Sequence, residues 1–230
     1  MANAQSFDKL NTLKRRSIPY AEYFGDMELT KEQKDKRQAL AIILEDIIYI
    51  FFDMYYSGLK IGFLNKIRVQ QELTYQLYDV LSKRNEKFFE TEEQLDKYVT
   101  NFVKEMYDST STNMVKEPDA YDYTGNEPYW VSEDRAMFVA ENEANTLLNG
   151  SEYIEAKEKG YTHKIWMAYP DDRVRPTHQI TNGAKIPIDA YFDVGGARML
   201  YPKDLTSELS TASDFPEEYI NCRCECHYVN

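Results

Sequence analysis

The feature that most constrains the fold is a nearly unbroken apolar run from Ala39 to Tyr56. Three acidic residues interrupt it, and at 100° per residue Glu45, Asp46 and Asp53 fall on one narrow face of a helix. A membrane span is one alternative, since about 20 apolar residues cross a bilayer, but three acidic groups near its middle would be costly there. We therefore expect a core helix with one thin hydrated stripe and no membrane contact.

The residues around this run predict where the amino-terminal helices begin and end. Thr30 is a suitable N-cap before charged, helix-favouring residues, so a long helix should begin near Lys31. The glycines at 58 and 62 are expected to end or bend it. Two further helices are predicted, at Lys66–Lys83 and at Glu92–Tyr107.

The sequence changes character between residues 108 and 128. The string STSTNMVKEPDAYDYTGNEP is rich in Ser, Thr, Asn, Asp, Pro and Gly and has no helical period, which predicts a linker or long loop. We place the domain boundary there, with a helical region at 1–120 and a second domain at 121–230.

The second domain combines one helix with short strands. The helix is predicted from Val131 to about Lys159, with Gly160 as its stop and an interruption near Asn149 and Gly150. Strands follow in HKIWMAYP, in a hairpin within AYFDVGGARML and in NCRCECHYV. The fold class is therefore α+β, a mainly helical amino-terminal arm followed by a small mixed α/β domain with short antiparallel strands.

Charge and cysteine usage exclude some functions. The formal net charge is −12, and both the first 120 residues and the remainder carry more acidic than basic residues. Because non-specific DNA binding comes largely from neutralising phosphates with Lys and Arg, broad DNA binding is not expected.

The start, MANAQSFDKL, lacks the pattern of a secretory signal, so synthesis in the cytosol is expected. All three cysteines lie in the last nine residues, unlike a secreted disulfide framework.

The cysteines have two readings. Cys222, Cys224 and Cys226 alternate, so they would share one face of an extended strand, and neighbouring thiolates could hold a metal ion. Zinc takes about four ligands from Cys, His or carboxylate, which makes one structural zinc on Cys222, Cys224 and His178 a possible outcome. Candidates to complete the set are Asp171, Asp172, Cys226 and His227. In the other reading, Cys222 and Cys224 are small buried residues of a central strand without metal.

The polar residues Asp172, Arg173, Arg175 and His178 also have two readings. They could form a catalytic acid and base or a phosphate clamp, since Arg binds oxyanions in bidentate fashion and His titrates near neutral pH. We favour a buried polar network, in which Asp172 fixes an Arg and His178 donates to backbone carbonyls, holding the turn between strands.

These residues belong to a longer motif. Its members are Trp166, Asp172, Arg173, Val174, Arg175, Thr177, His178, Gly183, Phe192, Pro202, Asn221, Cys222, Arg223 and Cys224. With this motif, residues from about 130 to 230 resemble the conserved domain of the MuF-type minor head (head morphogenesis) proteins of tailed phages. The preceding helix also fits, with Ala140-Glu141-Asn142-Glu143 where the family usually carries a Thr-Glu pair.

The resemblance implies a function in the phage head. Members of this family are expected to be low-copy minor capsid proteins that are not enzymes, join the procapsid in the host cytoplasm and lie inside the virion near the portal. The implied partners are the portal protein and other capsid or scaffolding proteins. The implied roles are head assembly and, beyond it, DNA packaging or ejection.

The helical arm is the expected contact with the portal. Helices with wide apolar and aromatic faces can dock on an oligomeric partner, so we expect residues 30–107 to bind the portal or other copies of the chain. The predicted contact residues on the first long helix are Ile42, Ile43, Ile47, Ile50, Phe51 and Tyr55.

A rival from another class is a phage-carried enzyme. MuF domains can be joined to toxin modules, so a nuclease or an ADP-ribosyltransferase-like toxin is the alternative. Its site would use His163, Arg175 and His178. The chain is short for an additional module of this kind.

Overall fold

Residues 29–117, 127–168, 174–204, 206–207 and 209–230, with Phe24 and Met27, are described by a computed structural model of the chain. Helices occupy the amino-terminal part and short antiparallel strands the carboxy-terminal part, so the predicted α+β class is confirmed. The chain divides into two compact units, the first made of residues 1–83 and 96–144, the second of residues 84–95 and 145–230. The described residues 127–144 group with the amino-terminal helices in this division, whereas a boundary at residue 120 places them in the second domain.

Helix α1, Lys31–Lys60, begins and ends where the local sequence predicts. Its N-cap Thr30 forms a capping box, in which the Gln33 amide donates to Thr30 Oγ1 at 3.3 Å and the Thr30 amide donates to Gln33 Oε1 at 3.0 Å. Gly58 remains inside the helix, whereas Gly62 follows its end with a φ of +71°, a conformation that favours glycine.

The apolar face of α1 packs within its own unit. The structure differs here from the expected docking face, because Ile47, Phe51 and Tyr55 are buried in the core of the first unit. Ile42 is 43% exposed, Ile50 is 42% exposed, and Ile43 is half-buried. Burial of three of the predicted contact residues removes them from any surface that a partner could reach. Among the described residues, no helix is both long and apolar enough to cross a membrane.

Helices α2, Lys66–Lys83, and α3, Glu92–Lys116, complete the three long amino-terminal helices. The linker prediction was wrong for residues 108–116, which continue α3. The reason is a buried face that outlasts the helix-favouring residues, since Tyr107, Thr110 and Met114 are buried at helical spacing. Residues 118–126 of the predicted linker lie outside the described part of the chain.

A short 3₁₀ turn, Tyr129–Val131, leads into helix α4, Glu133–Glu158. The buried guanidinium of Arg135 holds this start in the first unit. It donates to Thr110 Oγ1 at 2.8 Å and to the Trp130 carbonyl at 2.6 Å, and lies 4.9 Å from the centre of the Phe52 ring. Four elements of the first unit therefore meet at one buried cation.

Helix α4 is continuous, so the predicted interruption near Asn149 and Gly150 was wrong. A Cβ on Gly150 would lie 3.2 Å from both the Phe88 carbonyl oxygen and the Tyr201 hydroxyl, which shows that this glycine permits close packing. Asn149 donates from its side chain to the backbone carbonyls of Pro202, at 3.2 Å, and Cys224, at 3.1 Å. The two residues that were expected to break the helix instead bind it to the second unit's loops.

Two small antiparallel sheets form the strand part of the second unit. In the first, β1, His163–Met167, lies between β2, Lys185–Pro187, and β5, Glu225–Val229. In the second, β3, Phe192–Val194, pairs with β4, Ala197–Met199, through the predicted two-glycine turn. Two short helices intervene, α5 at Pro176–Thr181 and α6 at Pro216–Tyr219.

Trp166 lies at the centre of the second unit's core. It is fully buried in β1, opposite Cys226 of β5, and its ring meets the Phe192 ring edge-to-face with 5.2 Å between ring centres. Trp166 and Phe192, both members of the motif, are therefore core residues. The same core also includes all three cysteines.

Candidate functional site

The candidate site is a buried cluster around His178. Pro176 stands in the first turn of α5, where its fixed φ suits a helix start, and places His178 on the buried side of this short helix. The imidazole is 1% exposed and packs edge-to-face on Trp166, with 5.6 Å between ring centres. The core tryptophan therefore limits how the imidazole can rotate.

The two cysteines reach this imidazole from a turn that precedes β5. Asn221 adopts a positive φ of 59°, which Asn tolerates better than most residues, and the turn directs the chain back toward α5. The prediction that the strand spans all three cysteines on one face was wrong, because β5 begins only at Glu225. Cys222 and Cys224 thus lie in the irregular segment before the strand, and Cys226 lies within the strand.

Three ligand-type atoms converge in this cluster. His178 Nδ1 lies 3.2 Å from Cys224 Sγ and 3.6 Å from Cys222 Sγ, and the His nitrogen and both sulfurs lie within 4.8 Å of one another. All three residues are buried, and neither cysteine forms a disulfide. The Cys224 amide also donates to Cys222 Sγ at 3.4 Å.

Glu218 is the partner of the other ring nitrogen, and sequence reasoning missed it. Its Oε2 lies 2.9 Å from His178 Nε2 and accepts a hydrogen bond of 2.8 Å from the Thr177 hydroxyl. Glu217 and Glu218 both stand in the first turn of α6, so the sequence pattern alone gives no reason to separate the two. Only the fold shows that Glu218 is the buried one.

The electrostatics of the cluster favour a charged pair made of Cys222 and His178. Burial opposes ionisation of the Cys222 thiol, but hydrogen bonds from Cys224 and His178 outweigh it and bring the pKa of that thiol well below its usual value. Burial likewise lowers the pKa of His178, but the hydrogen bond and charge of Cys222 outweigh it, and the net shift is upward. The arrangement therefore stabilises a thiolate beside a protonated imidazole when no ion is present.

Arg175 and Gly183, two further motif residues, have hydrogen-bond partners that stabilise the local fold. Arg175 donates to the Ile220 carbonyl, which ties the start of α5 to the turn before the cysteines. Gly183, with a φ of +78°, donates its amide to the Trp166 carbonyl at 2.8 Å. His178 contacts side chains and not the backbone carbonyls that a polar network would have given it. Asp171, Asp172 and Arg173 lie outside the described residues.

The residues proposed for other roles do not join the cluster. His227 is 46% exposed and lies 3.3 Å from Glu225, and Cys226 is absent from the group of converging ligands among the described residues. His163 starts β1 three residues before Trp166, about 10 Å along the strand and on the opposite face. The catalytic set of His163, Arg175 and His178 is therefore not assembled.

Gly195 is a second residue that sequence reasoning missed. A Cβ at this position would lie 2.2 Å from Glu218 Oε1 and 2.8 Å from its Cδ, and the backbone φ is +61°. Glu218 cannot move away freely, because it is buried and held by His178 and Thr177. The glycine in the β3–β4 turn therefore makes room for the carboxylate that supports His178.

We expect Gly195→Ala to lower the free energy of unfolding by about 1–2 kcal/mol more than Gly196→Ala. Gly196 is the matched control, because it also has a positive φ of +91° but a Cβ there would lie 3.5 Å from its nearest neighbour, Phe215. Both variants carry the strain of the backbone and only Gly195→Ala adds the clash. Equal losses in urea titrations would show that Glu218 relaxes without cost.

Comparison with known proteins gives one match. The family model described as Phage Mu protein F like protein matches residues 90–227, more than half of the chain, and this range contains every residue of the His178 cluster. The match begins earlier in the chain than residue 130, the start of the resemblance that the sequence indicated. No curated protein and no solved structure matches the chain. The chain therefore belongs to the Phage Mu protein F like family, a family of phage head morphogenesis proteins.

Proposed function

We propose that this chain is a low-copy, non-catalytic minor capsid protein that acts in head morphogenesis at the portal. The observation that carries the proposal is the family match over residues 90–227. The protein would join the procapsid in the host cytoplasm and remain in the virion on the inner side of the capsid, near the portal. Other capsid or scaffolding proteins are further partners, and DNA packaging or ejection would be later stages of the same role.

A surface of the first unit supports contact with a protein partner. The connection between α1 and α2, which we call the α1–α2 tip and define as residues 59–68, exposes several large apolar side chains. Ile61 is 76% exposed, Phe63 is 75% exposed and Ile67 is 67% exposed. Apolar residues grouped in this way at the end of a helical pair are typical of a binding surface.

The charge of the α1–α2 tip indicates which kind of partner surface it would fit. Residues 54–71 contain three basic residues, Lys60, Lys66 and Arg68, and no acidic residue, whereas the whole chain has a net charge of −12. Lys60 and Arg68 are exposed, whereas Lys66 forms an ion pair of 3.7 Å with Asp108, so the net basic charge of the tip comes from Lys60 and Arg68. A basic and apolar tip on an acidic protein would fit a partner whose surface is acidic and contains an apolar pocket. We propose that the portal oligomer is this partner. The proposal thus moves the portal contact from the buried face of α1 to its end.

The test uses the full chain and the portal protein of the same phage. We expect the wild-type chain to co-purify with the portal and with procapsids, and Ile61→Ser/Phe63→Ser to bind the portal about tenfold more weakly, since loss of two exposed apolar anchors should exceed 1.4 kcal/mol. Tyr75→Ser is the control, because Tyr75 is 66% exposed on α2 outside the tip.

Point variants are preferable to a truncation at residue 121, which would cut through the first unit. Binding that survives the double substitution, or that falls equally in Tyr75→Ser, would place the contact elsewhere. Absence of the wild-type chain from procapsids and virions, measured by mass spectrometry, would overturn the head morphogenesis role itself.

A further inference from the structure

We propose that His178 Nδ1, Cys222 Sγ and Cys224 Sγ bind one zinc ion, with Glu218 orienting the imidazole. The proposal is independent of the portal contact. It concerns what holds the carboxy-terminal unit together.

The spacing of the three atoms fits a tetrahedral ion. With zinc–sulfur bonds of about 2.3 Å and zinc–nitrogen bonds of about 2.0 Å, a tetrahedral site places nitrogen and sulfur ligands about 3.6 Å apart. The two observed separations from His178 Nδ1 are 3.6 Å to Cys222 Sγ and 3.2 Å to Cys224 Sγ. Small adjustments of side chains already in place would accommodate the ion.

Two sulfur atoms approach the same nitrogen, an arrangement that indicates metal binding more than hydrogen bonding. Nδ1 makes one strong hydrogen bond in either protonation state of the imidazole, as an acceptor when the ring is neutral and as a donor when it is protonated. In this cluster two sulfurs approach the same Nδ1 atom. An ion placed between the three atoms satisfies all of them at once.

The surroundings of the three atoms are those of a metal site. A histidine ligand usually donates its other ring N–H to a carboxylate, and Glu218 occupies this position at Nε2. The carboxylate therefore leaves Nδ1 unprotonated for the ion. The Cys224 amide donates to Cys222 Sγ, a hydrogen bond that supports a thiolate ligand.

The donor set favours zinc over the hard cations. Two thiolates and one imidazole suit zinc, whereas magnesium and calcium take oxygen ligands. Within the described part of the chain three protein groups are in place, which leaves the fourth tetrahedral position to a further ligand such as a water molecule or a small anion.

The same residues could be taken for a nucleophile, since Cys222, His178 and Glu218 follow the order of a thiol, a base and an orienting carboxylate. The burial of Cys222 and His178 argues against a catalytic nucleophile. Cys222 is 3% exposed and His178 is 1% exposed, whereas a reactive cysteine needs at least partial access for its substrate. A buried cluster that ties α5, α6 and the segment before β5 to one point is better suited to a structural ion.

The first experiment measures metal in the full chain, expressed without a histidine tag in zinc-supplemented medium. We expect about one zinc per chain by elemental analysis, a lower melting temperature after chelation, and recovery on adding zinc. Cobalt added to the chelated protein should give thiolate-to-cobalt charge-transfer absorption and the visible bands of a tetrahedral ion. These measurements on the wild-type chain decide the matter even if ligand variants fail to fold.

Matched variants then assign the ligands. Cys222→Ser and Cys224→Ser should lose the zinc, whereas Cys226→Ser should retain it, because Cys226 is equally buried but lies outside the cluster. Glu218→Gln should retain zinc but bind it about 10–100-fold more weakly in competition with a chromogenic chelator. Glu217→Gln is its control, since Glu217 is the exposed neighbour.

Metal-free protein from supplemented cells, together with the absence of cobalt absorption, would overturn the proposal. Rapid alkylation of Cys222 in such metal-free protein at neutral pH would identify the nucleophile instead. Zinc that survives both Cys222→Ser and Cys224→Ser would show that the ion lies elsewhere, and would equally contradict the assignment.

Discussion

Trp166→Ala is expected to lower the free energy of unfolding by about 3–5 kcal/mol, which approaches the whole stability of a small domain. The indole is fully buried and packs edge-to-face with the rings of both Phe192 and His178. Its removal would leave a cavity beside the cysteine cluster as well as in the core. Thermal and urea unfolding of the full chain, followed by circular dichroism, measure the loss.

Tyr75→Ala provides the control for this prediction, because Tyr75 is an aromatic residue with 66% exposure. We expect it to change the free energy of unfolding by about 0.5 kcal/mol or less. A cooperative transition at the wild-type temperature in Trp166→Ala would contradict the core position of this side chain.

Lys164 is expected to make the stability of the second unit depend on pH. This lysine of β1 is fully buried, its Nζ donates to the Ile188 carbonyl at 2.6 Å, and the same atom lies 5.1 Å from the centre of the Tyr153 ring. Burial lowers the pKa of Lys164 to about 8, from an ordinary value of 10.5, even though Cys226 and other acidic groups act in the opposite direction. The folded chain therefore releases this proton at a lower pH than the unfolded chain.

The direction of the effect follows from this difference. Between pH 8 and pH 10.5 the unfolded chain holds more of the Lys164 proton than the folded chain, so the contribution of Lys164 to the free energy of unfolding rises with pH. The full difference in pKa between the folded and the unfolded chain corresponds to about 3 kcal/mol of unfolding free energy. About 2 kcal/mol of this is gained between pH 8 and pH 10.

The measurement compares the wild-type chain with Lys164→Met, which keeps the apolar stem and removes the titrating group. Relative to Lys164→Met, the wild-type chain should gain about 2 kcal/mol of unfolding free energy between pH 8 and pH 10. Burial raises the pKa values of Cys226 and Tyr153, which acts in the opposite direction in both proteins. In Lys164→Met the pKa of Cys226 also loses the lowering effect of the lysine charge, which adds to the difference between the two profiles in the expected direction. Parallel pH profiles of the two proteins would show that Lys164 keeps an ordinary pKa.

Local sequence determined the parts of this protein that short-range interactions decide. Thr30 and Gln33 close a capping box with atoms three residues apart, and Gly160, with its positive φ, ends α4. The two glycines of the β3–β4 turn select a tight hairpin. The motif from Trp166 to Cys224 was also sufficient to predict the family, since residue identity and spacing are properties of the sequence alone.

Tertiary structure alone decided which residues share an environment. Helix α3 continues through Ser and Thr residues of low helix propensity because Thr110 and Met114 are buried, and Gly150 stays helical because Tyr201 packs against it. Glu218 and Gly195 enter the His178 cluster through contacts that join positions 23 or more residues apart, which no local pattern records. The sequence could name His178 and two cysteines as candidate ligands. The approach of both sulfurs to His178 Nδ1, and the position of the Glu218 carboxylate at Nε2, depend on how the strands and short helices pack.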